Sequence, residues 1–443
     1  MREEDSILKT LQEMALNFNK NILVSHTGGQ LSSDGGLTLC VELMAKFQFT
    51  ILADKLLRFN DQRRYCQHSN SSILKQLILQ IIAGYSADSA ATSLEKEPLF
   101  KLLLDKPSLA SQATISRFWQ RFDKDSVSTL QTLNEALIDR VRLLTNQTAT
   151  IIDIDIDSTH SDTYGKQEAT NYNAHYGTEG YHPLLATDQD GNLLKAVLRP
   201  GNAYTSKDVK AFLTPLLKHY QTQLPTTDIL VRGDSGFATP EVYDVCEAND
   251  VFYIIRLKCN RKLQNLAEKF VKISDQTQWQ EEETHYYSEI YQSASWPKPR
   301  QIYIKSTRVA GELIFSHEFI VTNLTNLTAE TAFELYHKRS QMENYIKEAK
   351  TGFFFDKTDS STFNANAARM MVSVLAYNIV NFLKQLALTK HDSGLCVSTL
   401  RIRLFKVAAR VVHTGRRIQL RLSSYHVYHR LFYQALQRIQ AIE

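Results

Sequence analysis

Residues 148–157 read TATIIDIDID, and the strict alternation of isoleucine with aspartate leaves this segment little choice of structure. Side chains on a strand point to opposite faces in turn, so Ile152, Ile154 and Ile156 share one face and Asp153, Asp155 and Asp157 the other. The segments after it have their own grammar. PLLATD and LLKAVLRPG flank the turn residues DQDGN, which predicts a hairpin. TSKDVKAFLTPLLKHY reads mainly as helix despite Pro215, with Val209, Phe212, Leu213, Leu216 and Leu217 apolar. DILV is a short buried strand ending at RGDSGF, after which Thr239, Pro240 and Glu241 start a helix with a cap, an early proline and an early acid. VFYIIRL predicts a further buried strand.

The order strand, hairpin, helix, strand, helix, strand resembles an RNase H-like domain, so the expected fold class is α/β. A strand-rich stretch (QIYIKSTRV, ELIFSHEFIVTNL) interrupts the order before a long helix begins near Thr328, with Thr328 and Thr331 as candidates for its start. The expected division is a mainly helical domain over 1–145, an RNase H-like domain over 146–395 with a β-rich insertion at about 260–327, and a basic segment over 396–443. At 443 residues there is room for two or three domains. No internal repeat or low-complexity segment is present.

In the first 145 residues an irregular opening with Gly and Ser (His26 to Gly36) precedes helices, one of them over Ile73 to Ala83 with Ser72 as its expected cap. SLASQATISRFWQRF (108–122) predicts a short helix, a turn and a second helix carrying Arg117 and Arg121 beside Phe118 and Trp119. Two readings stand there: a helix-turn-helix reading DNA, or simple packing of Ile115, Phe118, Trp119 and Phe122.

Composition bounds the function. The charged opening MREEDSILKT does not read as a signal peptide, and no stretch is expected to reach the length and apolarity required to span a bilayer, so a cytoplasmic protein with no membrane partner is expected. Five scattered cysteines without a C-x-x-C pair argue against disulfides and zinc ribbons, and read as reduced packing residues. The net charge of +4 is uneven: residues 397–443 hold nine Lys or Arg against one acid, Glu443. That is +8 at one end and −4 over the rest, a pattern suited to a polyanion such as DNA or to a solvated amphipathic end. ARVVHTGRRIQLRL suggests a hairpin and YHRLFYQALQRI a closing helix, with Arg410, Arg416, Arg417 and Arg421 as candidate phosphate contacts.

Three acids stand where this topology would gather them. Asp157 ends the first strand, Asp234 follows the strand DILV, and Glu343 lies on the helix after the insertion. Ligand sites in open sheets form beyond the carboxyl ends of strands. Such oxygen ligands suit Mg²⁺, and a two-ion site would serve an in-line phosphoryl displacement. Asp155 competes with Asp157 for the first place, since both share a strand face. Any single Asp at a strand end is also an ordinary turn former or helix cap. On the helix, Tyr336, Arg339, Glu343 and Lys350 fall at spacings of three, four and seven and line one face, while Leu335, Met342, Ile346 and Ala349 form an apolar stripe. An aromatic, a guanidinium, a carboxylate and an ammonium together fit metal plus phosphate better than a solvated face.

These four residues, Y-x-x-R-x-x-x-E-x-x-x-x-x-x-K, resemble the motif of the YREK group of DDE transposases, bacterial insertion-sequence enzymes with an RNase H-like fold and a β-rich insertion. DIDST, NYNAHYGTEGYHPL, RPGNAYTSKDV and RGDSGF bring the likeness closest to insertion-sequence family thirteen-eighty, from about residue 20 to the basic end. The resemblance implies that Asp157, Asp234 and Glu343 form the DDE triad and hold two Mg²⁺ ions, with Mn²⁺ as a substitute. It implies that Tyr336, Arg339 and Lys350 grip transposon-end phosphates, and that the partners are inverted-repeat ends and target DNA bound by a homodimer. One departure is Ser158, where the family often has an acid. His175, Tyr176 and His182 either contact DNA or order their loop, Lys207 and Arg199 are weaker phosphate candidates, and Arg232 is placed to pair with an acid. The expected activity is metal-dependent cleavage at terminal inverted repeats and strand transfer, by cut-and-paste. The alternatives are an RNase H-like nuclease without transposition and a catalytically idle, transposase-derived DNA-binding protein.

Overall fold

The alternating segment forms β1 (Ile151–Ser158), in the interior of an eight-stranded mixed sheet. In this computed structural model residues 13–61, 63, 65–145, 150–271 and 279–442 are described. The opening MREEDSILKT, residues 148–149 of the alternating run and 272–278 of the strand-rich stretch lie outside them. Ile152, Ile154 and Ile156 are buried, as a core-facing set must be. The hairpin comes next as β2 (Leu184–Asp188) and β3 (Leu193–Val197). Its turn is closed by Asp188, whose Oδ1 accepts from the backbone N–H of Asp190 (3.1 Å) and Asn192 (2.8 Å), while Gly191 takes φ 76°. Then come β4 (Asp228–Gly233) and β5 (Phe252–Leu257), with a helix before each.

The strand-rich stretch supplies β6 (Glu283–Tyr291), β7 (Arg300–Arg308) and β8 (Ser316–Thr322). The sheet order is β6-β7-β8-β5-β4-β1-β2-β3. Strands β1, β4 and β5 are parallel, and all other neighbours are antiparallel. The insertion therefore continues the central sheet through β8 on β5 rather than standing apart from it.

Helices on this sheet follow the apolar periodicity. They are α1 (Lys124–Thr145), α2 (Val209–Gln223, with Pro215 inside), α3 (Pro240–Ala248), α4 (Ala329–His337), α5 (Gln341–Phe353) and α6 (Phe363–Ala387). Thr239 occupies the cap position of α3 but makes no side-chain cap bond, against expectation. Thr328 does cap α4, accepting from the N–H of Thr331 at 3.2 Å. The expected long helix is in fact broken: a 3₁₀ turn over Lys338–Ser340 separates α4 from α5. A 3₁₀ helix has three residues per turn, so it shifts the phase of everything after it.

Helix α6 corrects another expectation. Its 25 residues, with a mean hydropathy of 1.2 in the most apolar window, meet the length and apolarity of a membrane span, although 83% of that window is buried inside the protein. Asn378 on α6 explains part of that burial, because it donates to Asn134 of α1 (2.7 Å) and to the Leu193 carbonyl of β3 (2.9 Å). Buried amides of this kind hold one register, since any slip leaves them unpaired.

Two compact units divide the chain, one comprising Phe47–Arg64 and Phe118–Phe382, and so the whole sheet. The other combines residues up to Lys46, Tyr65–Arg117 and everything from Leu383 on. Neither boundary coincides with the divisions at 145 and 395 read from the sequence. In this second unit the helix expected from Ile73 starts earlier, at Asn70, because the cap is Ser69, whose hydroxyl accepts from the N–H of Ser72. The basic segment forms the expected hairpin, β9 (Ala409–Thr414) and β10 (Arg417–Leu422), and the closing helix α7 (His429–Gln440). The short strand Leu31–Ser32 pairs with β9. Gly36 makes this contact between distant segments possible: a Cβ there would lie 1.5 Å from the Leu404 carbonyl oxygen. All five cysteines are free, Cys40 and Cys246 buried and the others exposed.

One tie between α1 and α2 depends on pH. His219 lies 3.1 Å from Asp139, and this hydrogen bond is the main cause of its raised pKa. A histidine whose folded pKa exceeds its unfolded one stabilises fully below the unfolded value and loses the contribution as pH rises through the folded value. His219→Gln should therefore lower the melting temperature more at pH 5.5 than at pH 8.5, by differential scanning fluorimetry. Equal losses at both pH values would mean the tie is not ionic.

Candidate functional site

Arg232 on β4 stands directly opposite Asp155 on β1 in the parallel register. Its Nε and Nη2 donate to the two carboxylate oxygens at 2.6 and 2.9 Å, a bidentate fork. Nη1 donates to the Leu335 carbonyl of α4 at 2.7 Å and lies 3.1 Å from Asp153. Arg232 is 1% exposed, so this is a buried ion pair spanning two strands and a helix. Burial pushes the Asp155 pKa up, against the pull of Arg232. The two rival aspartates of the alternating strand thus have different surroundings: Asp155 is engaged by Arg232, and Asp157 lines a cavity.

That cavity lies at the carboxyl ends of β1 and β4. Ile156 pairs with Gly233, and continuing the register by one residue sets Asp157 beside Asp234. Adjacent strands are about 4.8 Å apart, so the two acids are neighbours by construction. Asp234 also starts the turn after β4, accepting from the N–H of Gly236 at 3.0 Å. Burial raises the Asp157 pKa to about 6, with Arg339 opposing and Asp234 adding to the rise. Like charges in one pocket resist joint ionisation, and the net attraction for a cation is correspondingly strong.

Glu343, Tyr336 and Arg339 line the same cavity of about 360 Å³. The broken helix decides how they do so. Tyr336 ends α4 with its ring in the apolar cluster of Leu230, Ile254, Tyr303, Ile320 and Phe333. Arg339 sits in the 3₁₀ turn, buried, and its Nη2 donates to Asp157 at 2.7 Å. Its Nε is buried and has no protein acceptor. Glu343 opens α5 and is exposed. Of the expected stripe, Met342, Ile346 and Ala349 are buried and Leu335 is half-buried. Lys350 goes elsewhere, donating to the His160 carbonyl. Among the described residues no group of three His, Cys, Asp or Glu side chains is close enough to hold a single metal ion.

The other lining residues were not singled out from the sequence. Arg256, Lys258 and Cys259 lie at and beyond the end of β5, and His317 and Glu318 come from β8 of the insertion. The basic residues following VFYII were the available signal; the antiparallel pairing of β8 on β5 that brings His317 there was not legible. His182 is buried with Nδ1 2.7 Å from the Ala203 carbonyl, and His160 stacks on Tyr176 at 4.7 Å, with His175 against the edge of that ring. Arg199 is buried on the carbonyls of His182, Thr205 and Lys207, so it orders its loop. In the other candidate element Ile115, Phe118, Trp119 and Phe122 are buried, as packing requires. Arg117 is exposed and donates to the Ala113 carbonyl, and Arg121 lies 5.9 Å from the Phe118 ring centre. Arg410, Arg416, Arg417 and Arg421 are all exposed on the β9-β10 hairpin.

A mixed α/β sheet with paired acids beyond its parallel strand ends defines the class: proteins whose ligand site opens at the carboxyl edge of the sheet. Residues 14–443 match the family described as transposase DDE domain group 1, and the chain belongs to that family. No curated protein matches it. Among solved structures, a piggyBac transposase synaptic complex with hairpin DNA is 10% identical, with 89% of this chain and 82% of that chain covered and a TM-score of 0.42. A Mos1 transposase paired-end complex with the left transposon end is 11% identical, over 45% and 61%, with a TM-score of 0.17. A Mos1 mariner paired-end complex with Mn is 12% identical, over 48% and 75%, also at 0.17.

The different surroundings of the two aspartates separate by mutation. Asp155→Asn leaves the buried Arg232 without its fork, and breaking such a pair costs about 3–5 kcal/mol. Asp157→Asn takes a single hydrogen-bonded contact from Arg339 and removes a charge that burial and Asp234 already oppose, so it should cost less in urea unfolding. Equal costs, or the reverse order, would show that Asp155 does not anchor the sheet.

Proposed function

We propose that this chain is an insertion-sequence transposase of the YREK group, closest to family thirteen-eighty, with an RNase H-like catalytic core. It cuts DNA at terminal inverted repeats and joins the ends to target DNA by cut-and-paste. The observation that carries this reading is the cavity that Asp157, Asp234 and Glu343 share beyond the carboxyl ends of β1 and β4. The strand order β3-β2-β1-β4-β5 supports the RNase H-like core.

Asp157, Asp234 and Glu343 turn carboxylate oxygens, the donors hard divalent cations prefer, to one cavity, although among the described residues the three do not close on a single ion. Two Mg²⁺ ions, or Mn²⁺ in their place, would activate the attacking oxygen and stabilise the leaving one. Asp157 and Asp234 would hold the cations from the sheet and Glu343 from the helix. Arg339 is within reach of the same space and can fork onto a phosphate, for which its unpartnered Nε is a spare donor. Tyr336 fixes the wall, and Lys350 acts through the His160 loop or moves to the DNA. Arg117, Arg121, Arg410, Arg416, Arg417 and Arg421 add phosphate contacts along duplex DNA held by a homodimer. The working compartment is the bacterial cytoplasm, at the nucleoid.

Asp157→Asn, Asp234→Asn and Glu343→Gln should each abolish cleavage of end duplexes while leaving mobility-shift binding intact. Loss of binding together with the fold would favour a structural role, and retained cleavage in any of the three would remove that residue from the triad. Arg339→Ala with Lys350→Ala should slow cleavage with little change in its Mg²⁺ dependence, because cations position phosphate and do not ligate metal. Wild-type rates in that double variant would leave both residues with structural roles only, Arg339 towards Asp157 and Lys350 towards the His160 loop. Integration of a cut end into a plasmid separates a transposase from a nuclease.

A further inference from the structure

The unit that gathers both ends of the chain contains a larger cavity, of about 610 Å³, lined by none of the acids of the sheet edge. One wall is the helix Pro98–Leu104 and its flanks, which bring Lys96, Lys101 and Lys106 to the lining. The other is the edge strand with Gly29 and the β9 residues Val411 and His413. The Arg410 guanidinium reaches the lip, where a Cβ on Gly29 would lie 3.3 Å from it. Asp105 is the one acid on the lining. Among the described residues none of the three lysines is ion-paired with an acid, and Asp105 stands against three cations on the lining.

We infer that this cleft is a second DNA site, seating the sugar-phosphate backbone of duplex DNA between the lysines of the 96–106 segment and the β9-β10 hairpin. The inference rests on the reading of this chain as a DNA-binding enzyme and concerns a different part of the molecule. Charge is its main support. Gathering three ammonium groups around one acid costs self-repulsion that a bound anion relieves. The hairpin repeats the pattern: Arg410 and Arg421 face each other across the ladder, and like charges directly opposite are destabilising. Extent argues for a polymer. β9 has six residues, about 20 Å of strand, and cations occur at both its ends, Arg410 at the lip and Arg416 and Arg417 at the turn. A small anion would need only the cleft, whereas each DNA strand presents a phosphate about every 3.4 Å along such a length.

The test uses the full chain on a short duplex without end sequence, in chelator, so that cutting plays no part. Replacing Lys96, Lys101 and Lys106 together by Gln should flatten the slope of log K against log salt by about two to three, close to one for each phosphate no longer neutralised. Lys124→Gln with Lys210→Gln and Lys218→Gln removes the same charge from exposed positions elsewhere and should flatten it by less than one. Asp105→Asn should tighten binding a few fold; Asp105 has φ 52°, a left-handed conformation that Asn adopts readily, so the fold tolerates the change. A merely structural role for the cleft would not produce tighter binding. An unchanged slope in the lysine variant, an equal fall in the control, or protection of the three lysines from acylation by inorganic phosphate as complete as by duplex overturns the proposal. A wild-type chain that fails to cut but keeps these differences sinks the catalytic reading and leaves this one standing.

Discussion

The sheet's chemistry depends on one buried ion pair. Arg232 forks onto Asp155 across two parallel strands and spends its remaining nitrogen on the Leu335 carbonyl. A guanidinium donor left unmet out of water is costly, so the helix end is favoured at the depth where Arg232 finds that carbonyl. Arg339 is four residues on and Glu343 eight. The pair thus fixes both the lateral register that sets Asp157 beside Asp234 and the approach of the helix that faces them. One charge matched below the site allows two like charges to be crowded at its mouth.

Much of this was legible in the residues, because alternation is a strong physical signal. TATIIDIDID could only be a half-buried strand, and RGDSGF could only end one. The choice between Asp155 and Asp157 was not legible, since both occupy the same face and only a partner on another strand distinguishes them. Arg232 is that partner, 77 residues away. The helix carrying Tyr336, Arg339, Glu343 and Lys350 illustrates the converse. Spacings of three, four and seven survive on paper whether or not the helix is continuous, and the 3₁₀ turn at Lys338–Ser340 left no compositional mark. That turn puts Arg339 inward, while Lys350 turns to a loop carbonyl instead of the cavity.

Caps and edges were the remaining blind spots. Ser69 rather than Ser72 starts its helix, a shift of one turn among neighbouring serines that local preference cannot resolve. The strand-rich insertion was visible as strands, but its continuation of the sheet through β8 on β5 is a pairing between segments about 65 residues apart. His317 enters the cavity through that pairing. The membrane-length helix Phe363–Ala387 shows why composition alone misleads: the same apolar run that suits a bilayer also suits a core crossed by Asn378 and its amide partners.

The Gly36 contact with the Leu404 backbone, and the pairing of Leu31–Ser32 with β9, join segments nearly four hundred residues apart. On a ribosome, which emits the chain from its amino end, these contacts come last. Domains generally fold as units during synthesis, and the sheet-bearing unit is complete in sequence by Phe382. The stretch before it has to wait, unpaired, until the basic segment emerges. Any message read short of Leu404 would therefore yield the eight-stranded sheet with a companion unit that lacks its closing strands, the cationic walls never brought face to face.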